Sequence, residues 1–144
     1  MSKPGRPGRS DYKVFYPIDT RWADNDIYGH VNNVIYYAYF DSAANRYLIE
    51  EGGLDINDGR IVGYVVSSGC DYHAPVAYPQ QLEAGLRVDR LGDSSVRYGI
   101  AVFERGQPEA AAHGYFVHVF VEREANRSVP VPPALRRALE KILV

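Results

Sequence analysis

The chain has 144 residues, 46% of them hydrophobic and 24% charged, with a formal net charge of −2. That length fits one domain with a buried core, and the near-neutral balance gives no electrostatic footprint for nucleic acid or an anionic membrane. A single cysteine, Cys70, rules out an internal disulfide and fits a reducing, cytoplasmic setting.

Residues 1–10 carry Lys3, Arg6 and Arg9 among prolines and glycines, with no apolar run behind them. They are expected to form a flexible basic tail rather than a signal peptide, ahead of one domain over 11–144. Tyr12 to Asp19 reads as a first strand. The stretch Asp24-Asn25-Asp26-Ile27-Tyr28-Gly29 is dense in turn formers. From Asn33 the period changes: Val34, Tyr37, Phe40, Ala44, Tyr47 and Leu48 recur at three- and four-residue steps, which predicts a helix. Asn32 or Asn33 is its expected N-cap and Gly52-Gly53 its stop. Small Ala38, Ala43 and Ala44 would let a sheet approach it closely.

Beyond the helix the chain reads as strands. Ile61 to Ala74 is rich in Val and Tyr. Leu82, Ala84, Leu86 and Val88 alternate with Glu83, Gly85, Arg87 and Asp89, the pattern of a strand with one buried face. Leu91-Gly92-Asp93-Ser94 turns the chain, and Val96, Tyr98, Ile100 and Val102 repeat the alternation. Ala111 to Val121 is apolar at nearly every position and is expected as a central strand covered on both faces. Pro133 opens a short helix carrying Leu135, Leu139 and Ile142. The order predicts an α+β domain with a five-stranded antiparallel sheet wrapped on one long helix. One helix cannot cover both faces of such a sheet, so a second copy of the chain is the simplest cover for the rest. Twelve tyrosines suit the walls of a cavity or a subunit interface.

The chemistry gathers between Arg21 and Asn33. Two carboxylates two residues apart, Asp24 and Asp26, precede Gly29, His30 and a helix N-terminus. Unpaired N–H groups there can hold a carbonyl oxygen as charge builds on it, and a nearby carboxylate can attack that carbonyl or activate water. The same residues also suit a plain helix cap and turn. His73, His113 and His118 lie on different strands without metal-ligand spacing, so no metal site is expected. Ser67, Ser68 and Cys70 have no Gly-x-Ser-x-Gly elbow or evident partner base.

Trp22-Ala23-Asp24-Asn25-Asp26-Ile27-Tyr28-Gly29-His30-Val31-Asn32-Asn33, followed by Tyr36 and Tyr39-Phe40-Asp41, resembles the signature of the 4-hydroxybenzoyl-CoA thioesterase family of hotdog-fold proteins. Asp71-Tyr72-His73-Ala74-Pro75, Leu91-Gly92-Asp93-Ser94-Ser95 and the strand from Ala112 extend the resemblance along the chain. It implies a hotdog fold and hydrolysis of an acyl-CoA to free acid and coenzyme A, without metal or other cofactor. It implies further that Asp26 is the catalytic carboxylate, as nucleophile or general base, and that backbone N–H groups near Asn33 and Val34 polarise the thioester carbonyl. Asp24 is expected to bond loop amides or the guanidinium of Arg21 or Arg46. His30 either meets the substrate carbonyl or a water, or is a buried histidine tying the loop to the helix. Tyr28, Ser94, Ser95, Arg97 and Arg127 are candidates to hold the substrate, the arginines because coenzyme A carries phosphates. A homodimer or homotetramer with the active site at the dimer interface follows from the same resemblance. Two alternatives remain beside it: an enoyl-thioester hydratase or dehydratase of the same fold, and a non-catalytic acyl-CoA-binding protein.

Overall fold

The computed structural model describes residues 5–57 and 59–144. Its main elements are β1 (Val14–Asp19), α1 (Ile35–Glu50), β2 (Ile61–Tyr72), β3 (Gln81–Leu91), β4 (Ser95–Glu104), β5 (Ala112–Glu122), β6 (Arg127–Ser128) and α2 (Pro133–Glu140). The five long strands form one antiparallel sheet in the order β1-β3-β4-β5-β2, and the two-residue β6 adds to β5. The chain therefore leaves one edge of the sheet, passes through α1, and re-enters at the other edge. This is the hotdog arrangement, with α1 lying across one face.

Side-chain periodicity explains why α1 lies there. Tyr36, Phe40, Ala44, Tyr47 and Leu48 form one buried face of the helix, meeting the inward residues Leu82, Leu86 and Val88 of β3, Val96, Tyr98, Ile100 and Val102 of β4, and Phe116 and Phe120 of β5. Ala43 and Ala44 are buried where the backbones come close, whereas Ala38 points to solvent. α2 seals one end: Tyr47 donates to the Ala138 carbonyl at 2.5 Å, and Arg136 holds the carbonyls of Gly92 and Asp93.

The outer face of the sheet is covered in part by the chain itself. Arg9 pairs with Glu83 at 2.5 Å, Arg6 Nε donates to the Ala110 carbonyl, and the Ala110 amide donates to Pro7. Tyr12 and Phe15 then pack on Ala101 and Phe103. Much of the segment expected as a tail thus makes defined contacts from Arg6 onward; residues 1–4, with Lys3, lie outside the described residues. β5 differs from expectation in a related way. Its inward residues are buried, but Tyr115, Val117 and Val119 on the outer face are only partly so, and β4 is the more completely buried strand.

One buried residue of the core is a histidine. His118 on β5 is buried beneath α1, its Nδ1 3.2 Å from the Tyr98 hydroxyl. Burial pushes its pKa down to about 4, with Asp41 acting weakly the other way. The unfolded chain therefore binds this proton more readily than the folded one. The resulting stability is full above about pH 6.5 and is lost as pH falls toward 4, a swing of about 3 kcal/mol. Urea unfolding of the wild type should show this slope between those values, and His118→Gln should be less stable at neutral pH but flatter across the range. Equal slopes in the two proteins would exclude His118 as the source.

Candidate active site

The Asp26 loop is a small pinned hairpin. Asn25 and Val31 form an isolated bridge, the Asp26 amide donates to the His30 carbonyl at 3.0 Å, and Gly29, at φ +82°, donates to the Asp26 carbonyl. A left-handed turn residue there requires glycine. The loop is tied to the segment after β2 through Val31 N–H to Val76 O (2.8 Å) and Tyr78 N–H to Asn25 Oδ1 (3.0 Å). The sequence signature and the downstream Asp-Tyr-His-Ala-Pro segment are thereby held side by side.

The two carboxylates have different settings. Asp24 is fully buried and accepts from Arg21 Nε and Nη2 at Oδ1, and from the Arg21 amide and the Tyr39 hydroxyl at Oδ2. Burial opposes its charge, but the bonds from Tyr39 and Arg21 outweigh that and hold the carboxyl below its usual range. It is a structural anchor, and its guanidinium partner is Arg21. Asp26 is half-buried. Its Oδ1 accepts the Tyr28 amide at 2.9 Å, while Oδ2 has no partner among the described residues. One carboxylate is saturated, and the other keeps one oxygen without a partner among the described residues.

Beside the loop lies an open cavity of about 330 Å³, lined by His30, Val31, Asn33, Tyr36, Tyr72, His73, Ala74 and Pro75. Asp26 flanks this cavity rather than lining it. The Tyr72 hydroxyl donates to the Asn33 carbonyl at 2.9 Å and its ring meets Tyr36 edge-on. Burial pushes the Tyr36 hydroxyl up to about 12 and raises Tyr72 as well, so both stay neutral donors. Burial likewise pushes the Cys70 thiol up to about 11, which leaves it protonated and a poor nucleophile.

The helix begins later than the sequence predicts. Asn32 closes a turn first, its Oδ1 accepting the Val34 amide (3.0 Å) and its carbonyl the Ile35 amide (2.9 Å), and α1 starts at Ile35. The Val34 N–H is thus occupied, and of the two expected oxyanion donors only the Asn33 N–H is without a partner among the described residues. His30 is exposed on the cavity wall, not buried as a tie between loop and helix. Tyr28 sits at the hairpin tip, 84% exposed. Ser94, Ser95 and Arg127 lie at the other end of the sheet: Ser95 pairs with Val119 and Arg127 with Glu122, whereas the cavity lies where Tyr72 meets Ala112. Arg97 is on the outer face, over the Tyr115 ring at 3.9 Å and near Asp89. A single chain therefore brings Asp26, His30 and Asn33 together and leaves Ser94, Ser95, Arg97 and Arg127 apart from them. Tyr36 and Tyr72, among the tyrosines expected to line an aromatic pocket, form much of the cavity wall together with His73, which was not expected there. Among the described residues, no group of three or more His, Cys, Asp or Glu could hold a metal ion.

The sequence profile of the thioesterase-like superfamily matches residues 20–139. Protein YsmA of Bacillus subtilis strain 168 is 25% identical over 129 residues, covering 90% of this chain and 86% of its own. The crystal structure of the PA5185 protein of Pseudomonas aeruginosa PAO1 is 63% identical, covers 96% of each chain and superposes with a TM-score of 0.95. A thioesterase from Thermus thermophilus, crystallised with coenzyme A and zinc, is 31% identical over 89% of this chain and 98% of its own, with a TM-score of 0.74. The chain belongs to the thioesterase-like superfamily and is a thioester hydrolase.

Proposed function

We propose that this hydrolase cleaves an acyl-CoA to the free acid and coenzyme A, with Asp26 as the catalytic carboxylate. The observation that carries the reading is that Asp26, whose Oδ2 has no partner among the described residues, flanks a cavity lined by the exposed His30 and by Asn33, whose N–H likewise has no partner among the described residues. In the general-base form, Asp26 takes a proton from water as it adds to the thioester carbonyl. The Asn33 N–H stabilises the oxyanion, and the thiolate leaves. In the nucleophile form, the carboxylate itself adds first and water then cleaves the mixed anhydride. The coenzyme A complex of the Thermus thermophilus relative supports a CoA thioester over other thioesters.

A second copy completes the site in this reading. β2 runs for 12 residues with one side unpaired, and Tyr64, Val65 and Val66 on it are 44–59% exposed. From Ile61 to Cys70 it carries no charge and no proline, the usual protections of a free edge. Antiparallel pairing of two such edges about Val66 turns the Ile61 end of one strand toward the Tyr72 end of the other. That carries the partner's end of the sheet, with its basic and serine residues, toward the cavity and supplies groups for the nucleotide. Among the described residues no helix is long and apolar enough to cross a membrane, and with one unpaired cysteine the reading is of a cytoplasmic enzyme.

The test is thiol release from short, long and aromatic acyl-CoAs by the purified protein, with an enoyl-CoA followed for hydration alongside. Turnover of at least one acyl-CoA is expected. Hydration of the enoyl-CoA without thiol release, or tight acyl-CoA binding with no turnover, would overturn the hydrolase reading.

A further inference from the structure

The free edge of β2 is built to pair with itself in one register. Residues opposite each other in a ladder share a face of the sheet, so the pairing with β5 sorts the side chains of β2. Ile61, Gly63, Val65, Ser68, Cys70 and Tyr72 lie on the face toward α1, and Val62, Tyr64, Ser67, Gly69 and Asp71 on the outer face. The register shift between Val65 and Ser67 moves the inward set from odd to even numbers and leaves Val66 over. Full antiparallel overlap of two such 12-residue strands sets Ile61 against Tyr72, Gly63 against Cys70 and Val65 against Ser68, each inward residue against an inward one. Outward Val62 and Tyr64 likewise meet outward Asp71 and Gly69. Without the shift, the same overlap would set every inward residue against an outward one.

The two ends of that overlap carry opposite charge. Arg60 precedes Ile61, and its carbonyl accepts the Arg123 amide at 2.7 Å, which extends the ladder by one residue. Its side chain is 76% exposed, with Glu122 at 3.7 Å as its ion-pair partner, and the alternation puts it on the outer face. Asp71, at the other end of the same face, is exposed, and its carboxylate has no ion pair among the described residues. Within one chain these two charges stand roughly 35 Å apart along the strand. Across the antiparallel pair, Arg60 of one copy falls diagonal to Asp71 of the other, a spacing that a long side chain spans. The two-fold axis repeats the contact at the far end. Resting on the dimer reading above, we propose that a second copy of the chain docks on β2 in this register, held at both ends by an ion pair from Arg60 of one subunit to Asp71 of the other. The same register decides which residue the second copy lends to the site. Tyr72 lines the cavity, so Ile61 of the partner subunit lies beside it on the cavity's side of the sheet and continues the apolar wall.

Arg60→Glu and Asp71→Arg each bring like charges together at both ends of the pair, and both positions are exposed, so the protomer keeps its fold. Each variant is expected to raise the dimer dissociation constant about tenfold or more in sedimentation at low salt. An equimolar mixture of the two should favour the mixed dimer over either homodimer, because both of its ends then join opposite charges. The double variant should return to within about threefold of wild type. Unchanged dissociation constants in the single variants, or a mixture without preference for the mixed dimer, overturn the register. Val65→Cys with Ser68→Cys, in a Cys70→Ser background, reads the alignment directly: the two positions meet only between copies, and oxidation should link the dimer covalently. A dimer that stays unlinked overturns the register alone. A wild type that is monomeric at every concentration tested overturns the register together with the dimer reading, whatever thiol release shows.

Discussion

Asp26→Asn is expected to lower kcat for thiol release by about 10²- to 10⁴-fold while leaving unfolding within about 0.5 kcal/mol of wild type. Asparagine preserves the one contact that shapes the loop, since its Oδ1 can still accept the Tyr28 amide. The hairpin is otherwise held by backbone bonds from Asp26 to His30 and from Gly29 to Asp26, which the change does not touch. What it removes is the negative charge and the proton-accepting oxygen at Oδ2. Steady-state kinetics on any acyl-CoA that the wild type turns over, with circular dichroism for folding, checks both halves. Full activity in a folded variant would remove Asp26 from the mechanism, and a variant that unfolds would make it a structural residue.

Asp24 and Asp26, two aspartates in one short motif, have different surroundings. Asp24 is enclosed and meets three kinds of donor, from Arg21 and Tyr39. A carboxylate so saturated has no lone pair left for a water and a lowered proton affinity. Among the described residues, Asp26 is reached by one backbone donor. The difference follows from position: the turn of 3₁₀ helix at Trp22–Asp24 points Asp24 under α1, whereas Asp26 falls on the rising arm of the hairpin.

Local features of the fold were legible because they are properties of neighbouring residues. The alternation in β3 and β4 and the three-to-four-residue spacing in α1 each state which face is buried, and those faces are the buried ones. The start of α1 was not legible to a residue, because Asn32 can cap a helix or close a turn before one, and here it closes the turn. β5 misled because an apolar run signals burial without saying on how many faces. Strand order is a non-local property: nothing within Ser94-Ser95 says that this turn lies at the end of the sheet far from the Asp26 loop. The same holds for His73. Its place in the wall depends on Val31 bonding to Val76 across a long stretch of chain, a pairing that local pattern does not encode.

The second large effect concerns the free edge of the sheet, where Val66→Lys is expected to separate a dimer into monomers of 16.2 kDa and to lower turnover by about 10²-fold. Val66 sits in the register shift between Val65 and Ser67, has no Cα partner on β5 and is 59% exposed, so the substitution costs a single protomer little. The cost falls on pairing. A lysine on an unpaired edge must lose water or splay the strands when a second edge approaches. Activity should follow assembly because one protomer leaves its cavity open and keeps Ser94, Ser95 and Arg127 at the far end of its own sheet. Light scattering gives the mass, thermal unfolding at low concentration gives the fold of the protomer, and thiol release gives the site. A wild type that is monomeric at assay concentration, or a monomeric variant with undiminished turnover, would place the whole active site within one chain. The expected pattern, loss of mass and turnover together with an intact protomer, would make the bare β2 edge part of the catalytic apparatus, as the proposed pairing across it requires.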